Sequence, residues 1–189
     1  MGSIPLEVLS EWSEVVEISV KLARGEKLDE RDELWVRGVA EATGWSVDDV
    51  IEEFKSLDVD PSERVERYRS LFESYYREAI AHKERGDTRQ AGEKMWGAVT
   101  ALIKLYAATK GIYVSHWNLP KLYYFVENNV EVKYRGTFMK LLNQAYVLHT
   151  HFYEAHLSST AFKIQWEEVV KLVEEVREIV FKRLAKASA

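Results

Sequence analysis

Apolar residues recur at every third or fourth position along most of the chain, the spacing of amphipathic helices and not of strands. The strongest segment spans residues 86–111. There Ala91, Met95, Ala98, Leu102 and Leu105 form one apolar seam, and Trp96, Val99, Ile103 and Tyr106 form a second beside it. So wide an apolar arc predicts a central helix surrounded by others. Asp87 is placed to cap its first turn, with Gln90 reaching back to complete a capping box, and Gly111 supplies a left-handed residue at its end.

The same periodicity predicts the flanking elements. A first helix over 7–23 carries Leu9, Trp12, Val16 and Val20 and stops before Gly25. A second, 30–43, carries Leu34, Trp35, Val39 and Ala42 and stops at Gly44; Ser46 then caps a short third bearing Val50, Ile51, Phe54 and Leu57. Asp60-Pro61-Ser62-Glu63 opens a long helix from Val65 to Arg85. After the central helix, Asn118-Leu119-Pro120 opens a short helix through Leu122, Tyr123, Phe125 and Val126. A long helix over 133–157 follows, with the seam Tyr134, Phe138, Leu141, Ala145, Leu148, Phe152 and Ala155. Ser158-Ser159-Thr160 caps the last one, built on Phe162, Trp166, Val169, Val173, Val176 and Val180. The expected architecture is all-α: an up-and-down four-helix bundle over 60–189 with one extra short helix, preceded by a three-helix module over 1–59.

Charge divides the chain at the same place. Residues 1–60 hold 6 Lys/Arg against 16 Asp/Glu, and the remainder carries a net +5. The acidic front reads as solvated helix faces or as a surface that docks on the basic remainder. The basic remainder lacks the clustered footprint of a nucleic-acid binder. Ala40, Gly44 and Val50 have the spacing of a helix-turn-helix, but Asp48, Asp49, Glu52 and Glu53 on its second helix would repel phosphates, so DNA is not an expected partner. Cysteine is absent, which excludes thiolate chemistry and disulfides. No window is apolar enough for a membrane span and the N-terminus lacks the blocks of a signal peptide, so a cytoplasmic protein is expected.

The stretch Gly86-Asp87-Thr88-Arg89-Gln90-Ala91, continuing through Glu93-Lys94-Met95-Trp96-Gly97-Ala98, resembles the archaeal Pyrobaculum-repeat (PaREP-type) helical family, as does Leu148-His149-Thr150-His151-Phe152-Tyr153-Glu154. The resemblance covers roughly residues 62–182. That family is in turn similar to the HEPN superfamily of helical domains, which dimerise and accompany nucleotidyltransferases or act as ribonucleases. The resemblance therefore implies a HEPN-like bundle, a homodimer, and a nucleotide, RNA or nucleotidyltransferase-type protein as partner. Its ribonucleases are recognised by an Arg followed four to six residues later by a His. Here Asn143 precedes His149 at that interval, Arg135 lies too far upstream, and the fixed positive charge is missing.

His149 is the candidate catalytic residue, because on the 133–157 helix it projects into the seam near Ala145 and Phe152. His156 falls two turns later on the same side, about 10 Å along the axis, too far for the two to share a metal ion. No metal and no cofactor is expected. His151 points away from the seam and reads as solvated. Tyr146 and Tyr153 flank His149 and, with Tyr75, Tyr76, Tyr123 and Tyr124 elsewhere, line a groove able to stack a base. Trp96 sits between Gly92 and Gly97, which mark close helix approach. Tyr146, His149, Tyr153, His156 and Trp96 thus form the expected ligand-binding set. The expected function is a non-catalytic binding or scaffolding module for a nucleotide, RNA or protein. The alternative is a degenerate, metal-independent HEPN-type ribonuclease using His149.

Overall fold

The computed structural model describes residues 13–57, 59–113 and 119–187. Among them the chain forms eight α-helices and no strand: α1 Ser13–Ala23, α2 Glu30–Thr43, α3 Val47–Lys55, α4 Val65–Glu84, α5 Thr88–Ala108, α6 Leu119–Asn129, α7 Val132–Glu154 and α8 Ser159–Ala187. The expected opening turns of the first helix and the Asn118 cap lie outside the described residues. No helix among the described residues is long and apolar enough to cross a membrane.

The helix ends show which local signals decide. Asp87 caps α5 by accepting from the Gln90 N–H at 3.1 Å, but its own N–H donates to the His82 carbonyl at 3.0 Å, so the expected box does not close there. A closed box forms instead at α2, where Asp29 and Asp32 each accept the other's backbone N–H at 3.0 Å. Asp60-Pro61 opens a single 3₁₀ turn, Pro61–Arg64, and the α-helical pattern begins only at Val65. Helix α7 stops at Glu154, three residues short of expectation, because Ala155 takes the left-handed conformation (φ 49°, ψ 34°). Ser158 then starts α8, its hydroxyl accepting from the Ala161 N–H at 3.2 Å.

Helix α5 is the axis of the molecule. From Ala91 to Ala108 every residue but Lys94 is buried. Helices α4, α7 and α8 pack along it, α8 lies against α7, and α6 crosses α7. One apolar core runs without interruption from Val15 and Ile18 of α1 through α5 to Val176 and Val180 of α8. Two glycines let other backbone come within van der Waals reach of α5. A Cβ on Gly92 would stand 2.4 Å from the Leu148 carbonyl oxygen of α7, and one on Gly97 would stand 2.8 Å from that of Gly44 at the α2–α3 turn.

That turn is held on α5 by buried polar bonds. The Trp45 indole donates to the Gly97 carbonyl at 3.0 Å, the Trp96 indole to the Ala42 carbonyl at 2.9 Å, and the Thr100 hydroxyl to the Thr43 carbonyl at 3.0 Å. Deeper in, Lys104 of α5 pairs with Glu53 of α3, and both side chains are almost wholly covered. The Tyr68 hydroxyl donates to the same carboxylate at 2.8 Å, while Arg64 and Arg67 stand 3.8 and 3.6 Å from it. Burial pushes the Lys104 ammonium well down, with Arg64 and Arg67 acting in the same direction against the attraction of Glu53. Burial also works to raise the Glu53 carboxyl, but Lys104, Arg64 and Tyr68 outweigh it and hold the group below the usual range.

One carboxylate therefore serves three cations, and its loss is the more damaging change. Glu53→Gln is expected to cost about 3–5 kcal/mol by leaving the cations without a buried counter-charge. Lys104→Met, which leaves Glu53 with Arg64 and Arg67, is expected to cost clearly less in the same urea unfolding experiment. Gly92→Ala is expected to lose about 1–3 kcal/mol by overpacking α5 against α7.

Candidate functional site

The α5–α7 contact places backbone against backbone at Gly92 and Leu148, and the next residue on each helix is polar: Glu93 and His149. Close approach turns this juxtaposition into a bond. His149 Nδ1 lies 2.7 Å from Glu93 Oε2, with the imidazole only 7% exposed. A carboxylate only accepts, so Nδ1 carries a proton and the ring orientation is set. The other nitrogen, Nε2, has no hydrogen-bond partner among the described residues.

Helical spacing assembles the rest. Three and four residues from His149 on α7, Tyr146 and Tyr153 lie on the same face. Three residues after Glu93 on α5, Trp96 lies beneath. The His149 ring stacks on Trp96 with centroids 5.4 Å apart and planes inclined at 26°. Tyr146 is 5.5 Å and Tyr153 5.3 Å from the same ring, the latter edge-on at 88°. Trp96 is sealed, whereas Tyr146 keeps 36% and Tyr153 48% of its surface exposed. The result is a buried floor of His149 and Trp96 with two half-open tyrosines above it.

A third element completes the wall. The C-terminal end of α2 supplies the Ala42 carbonyl to Trp96 at 2.9 Å and the Glu41 carbonyl to the Tyr153 hydroxyl at 3.4 Å. Burial pushes the Tyr153 phenol up to about 12, and Glu93, Glu41 and Tyr146 add to the effect. Its surroundings are electron-rich. Tyr123 of α6 borders the site, its phenol raised by burial and by the neighbouring Tyr146, and its hydroxyl donates to Asn143.

Four of the five expected ligand-binding residues thus meet: Trp96, Tyr146, His149 and Tyr153. His156 does not join them, because α7 has ended before it; its ring lies 5.6 Å from His151 and its Nδ1 3.9 Å from Glu154. His151 is not solvated but buried, at 3% exposure. Its Nδ1 accepts the Leu157 N–H at 3.0 Å, and its Nε2–H faces the Thr88 hydroxyl at 3.2 Å, tying the α7–α8 link to the start of α5. Tyr75 and Tyr76 serve packing instead, the first bonded to Asp49 at 2.5 Å and the second stacked on Phe72. Glu93, Glu41 and Ala42 are the residues that spacing along α7 does not disclose. A carboxylate inside the apolar arc of α5 was the available signal for Glu93.

Chemically, the His149–Glu93 pair is an oriented imidazole beside two aromatic faces. No Arg or Lys bonds to either member among the described residues; Arg135 is engaged with the Val130 carbonyl at 2.8 Å and Arg89 with that of Phe152 at 2.7 Å. Nor do three His, Asp or Glu side chains converge as metal ligands among the described residues.

Fold and site define an all-helical bundle protein with an acid-backed aromatic face between its central helix and α7. Residues 67–173, more than half of the chain, match the model of the archaeal PaREP1/PaREP8 family, and the chain belongs to that family. No match was found among curated proteins or among solved structures. The matched segment contains Glu93, Trp96, Tyr146, His149 and Tyr153, whereas Glu41 and Ala42 precede it.

The buried His151 gives the fold a pH dependence of known sign. Burial, His156 and Arg89 hold its imidazole below the ordinary value, so the unfolded chain takes up the proton first as pH falls. Its contribution is fully present above pH about 6.5 and is lost below it. The melting temperature of the wild type is expected to drop more between pH 7.5 and 5 than that of His151→Gln, read by circular dichroism.

Proposed function

We propose that the protein is a non-catalytic recognition module that takes the base of a nucleotide or of single-stranded RNA on the face made by Tyr146 and Tyr153. One observation carries this reading: both tyrosines stay half open although they stand directly over the buried His149–Trp96 floor. A base stacked on such a platform gains about 1–3 kcal/mol. The His149 Nε2, without a protein partner among the described residues, offers the edge of that base a hydrogen bond.

The second reading is a HEPN-like ribonuclease, favoured by the carboxylate that orients His149. A general base of this kind abstracts a proton through its free nitrogen. What the reading lacks is a cation for the charge that builds on the phosphate, since no Arg or Lys bonds to the pair among the described residues.

Titration of the protein with labelled single-stranded RNA and with free nucleotides separates them. Tyr153→Ala and His149→Ala are each expected to weaken binding by roughly tenfold to a hundredfold, with the RNA recovered intact. RNA cleaved by the wild type and spared by His149→Ala replaces this reading with the ribonuclease. If neither nucleotide nor RNA binds, the aromatic face is left to a protein partner.

A further inference from the structure

The groups that line the aromatic face are unequal in hydrogen-bonding sense. Glu93 offers carboxylate oxygens, and the end of α2 presents the carbonyls of Glu41 and Ala42. Because Glu93 fixes the proton on His149 Nδ1, the neutral ring presents an acceptor at Nε2. The Ala42 carbonyl is already engaged by Trp96, and the Glu41 carbonyl is only weakly engaged by Tyr153 at 3.4 Å. The hydroxyls of Tyr146 and Tyr153 border the floor, each able to donate or accept, while that of Tyr123 is committed to Asn143. Acceptors predominate, and they carry the site's negative charge: the Glu93 carboxylate together with the C-terminal, electronegative end of α2. Burial is the main cause that raises the Tyr153 phenol, and the negative charges of Glu93 and Glu41 add to it in the same direction.

Resting on the base-recognition reading above, we propose that the site selects rings that present an exocyclic amino group, adenine and cytosine, over their carbonyl counterparts hypoxanthine and uracil. The amino N–H donates toward His149 Nε2 while the ring stacks on Tyr146 and Tyr153. A carbonyl at that edge would set acceptor against acceptor. The phosphate plays no part in this selection and points away from Glu93 and the end of α2, so the nucleoside carries the recognition. Glu93 is a positioning residue here: it acts through the imidazole and sets which nitrogen keeps its lone pair.

The test is calorimetric titration of the full chain with adenosine, inosine, cytidine and uridine, beside ¹⁵N-histidine NMR of the unliganded protein. Adenosine and cytidine are expected to bind roughly tenfold or more tightly than inosine and uridine, the scale of one lost hydrogen bond with its acceptor left unpaired. In Glu93→Met the imidazole is free to change tautomer and the ratio is expected to fall toward one. The ¹⁵N spectrum is expected to show His149 protonated at Nδ1 and bare at Nε2, a measurement that needs no variant. Equal binding of all four nucleosides, a preference for the carbonyl pair, or a proton found on Nε2 of the neutral ring would overturn the inference and leave base recognition standing. Absence of binding by every nucleoside and by RNA removes the base-recognition reading itself, and this inference with it.

Discussion

A helix buried around its whole circumference cannot hide polar side chains unless each finds a partner on some neighbour. Between Ala91 and Ala108 helix α5 is nearly in that position, and its five buried polar or half-polar residues draw partners from α2, α3, α7 and the residue before α7. Glu93 takes His149 of α7, Trp96 and Thr100 take carbonyls at the end of α2, and Lys104 takes Glu53 of α3. Tyr106 donates to Glu131, just before α7, at 3.0 Å. The requirement that these groups be satisfied fixes the rotation and depth of the elements around α5. Apolar packing alone tolerates sliding, and directional bonds do not.

The candidate site is one of these pairings left incompletely covered. The Glu93–His149 bond has the same origin as the Lys104–Glu53 pair, a polar residue on α5 answered from outside. It differs in what lies above it. Over Lys104 the aromatic rings of Trp45 and Tyr68 close at 4.8 and 5.1 Å. Over His149 the tyrosines remain half open. The bond is short because α5 and α7 touch at Gly92, so the site's precision depends on the absence of a side chain next to Glu93.

Much of this was legible in the sequence. The two seams of α5, the seam of α7 from Tyr134 to Leu148 and the four-and-three alternation of α8 mark faces that the structure buries, whereas Phe152 and Ala155, expected to continue the α7 seam, stay half-buried and exposed respectively. Periodicity within one helix also suffices to bring Tyr146, His149 and Tyr153 together. It fails where a second element decides. His151 sits off the α7 seam, yet it is covered by Thr88 of α5 and Phe162 of α8, because α7 is contacted from two sides and a heptad describes only one. The early end of α7 rests on Ala155, an alanine in a conformation usually left to glycine or asparagine, and no local signal announces it. The choice of Glu93 as the partner of His149 is set by the relative rotation of two helices, 56 residues apart in the chain.

The bonds between the α2–α3 turn and α5 decide whether the bundle can stand without the helices that precede it. Residues 13–57 lie outside the segment that matches the family model, yet among the described residues they supply the hydrogen-bond acceptor of the Trp96 indole and, together with the Gly97 carbonyl, that of the Thr100 hydroxyl. A chain with the bundle but without these helices would expose or orphan Trp96, Thr100 and Lys104 together. The front helices and those three positions on α5 therefore form one interdependent unit, and removing the front helices leaves buried polar groups of the central helix unpaired.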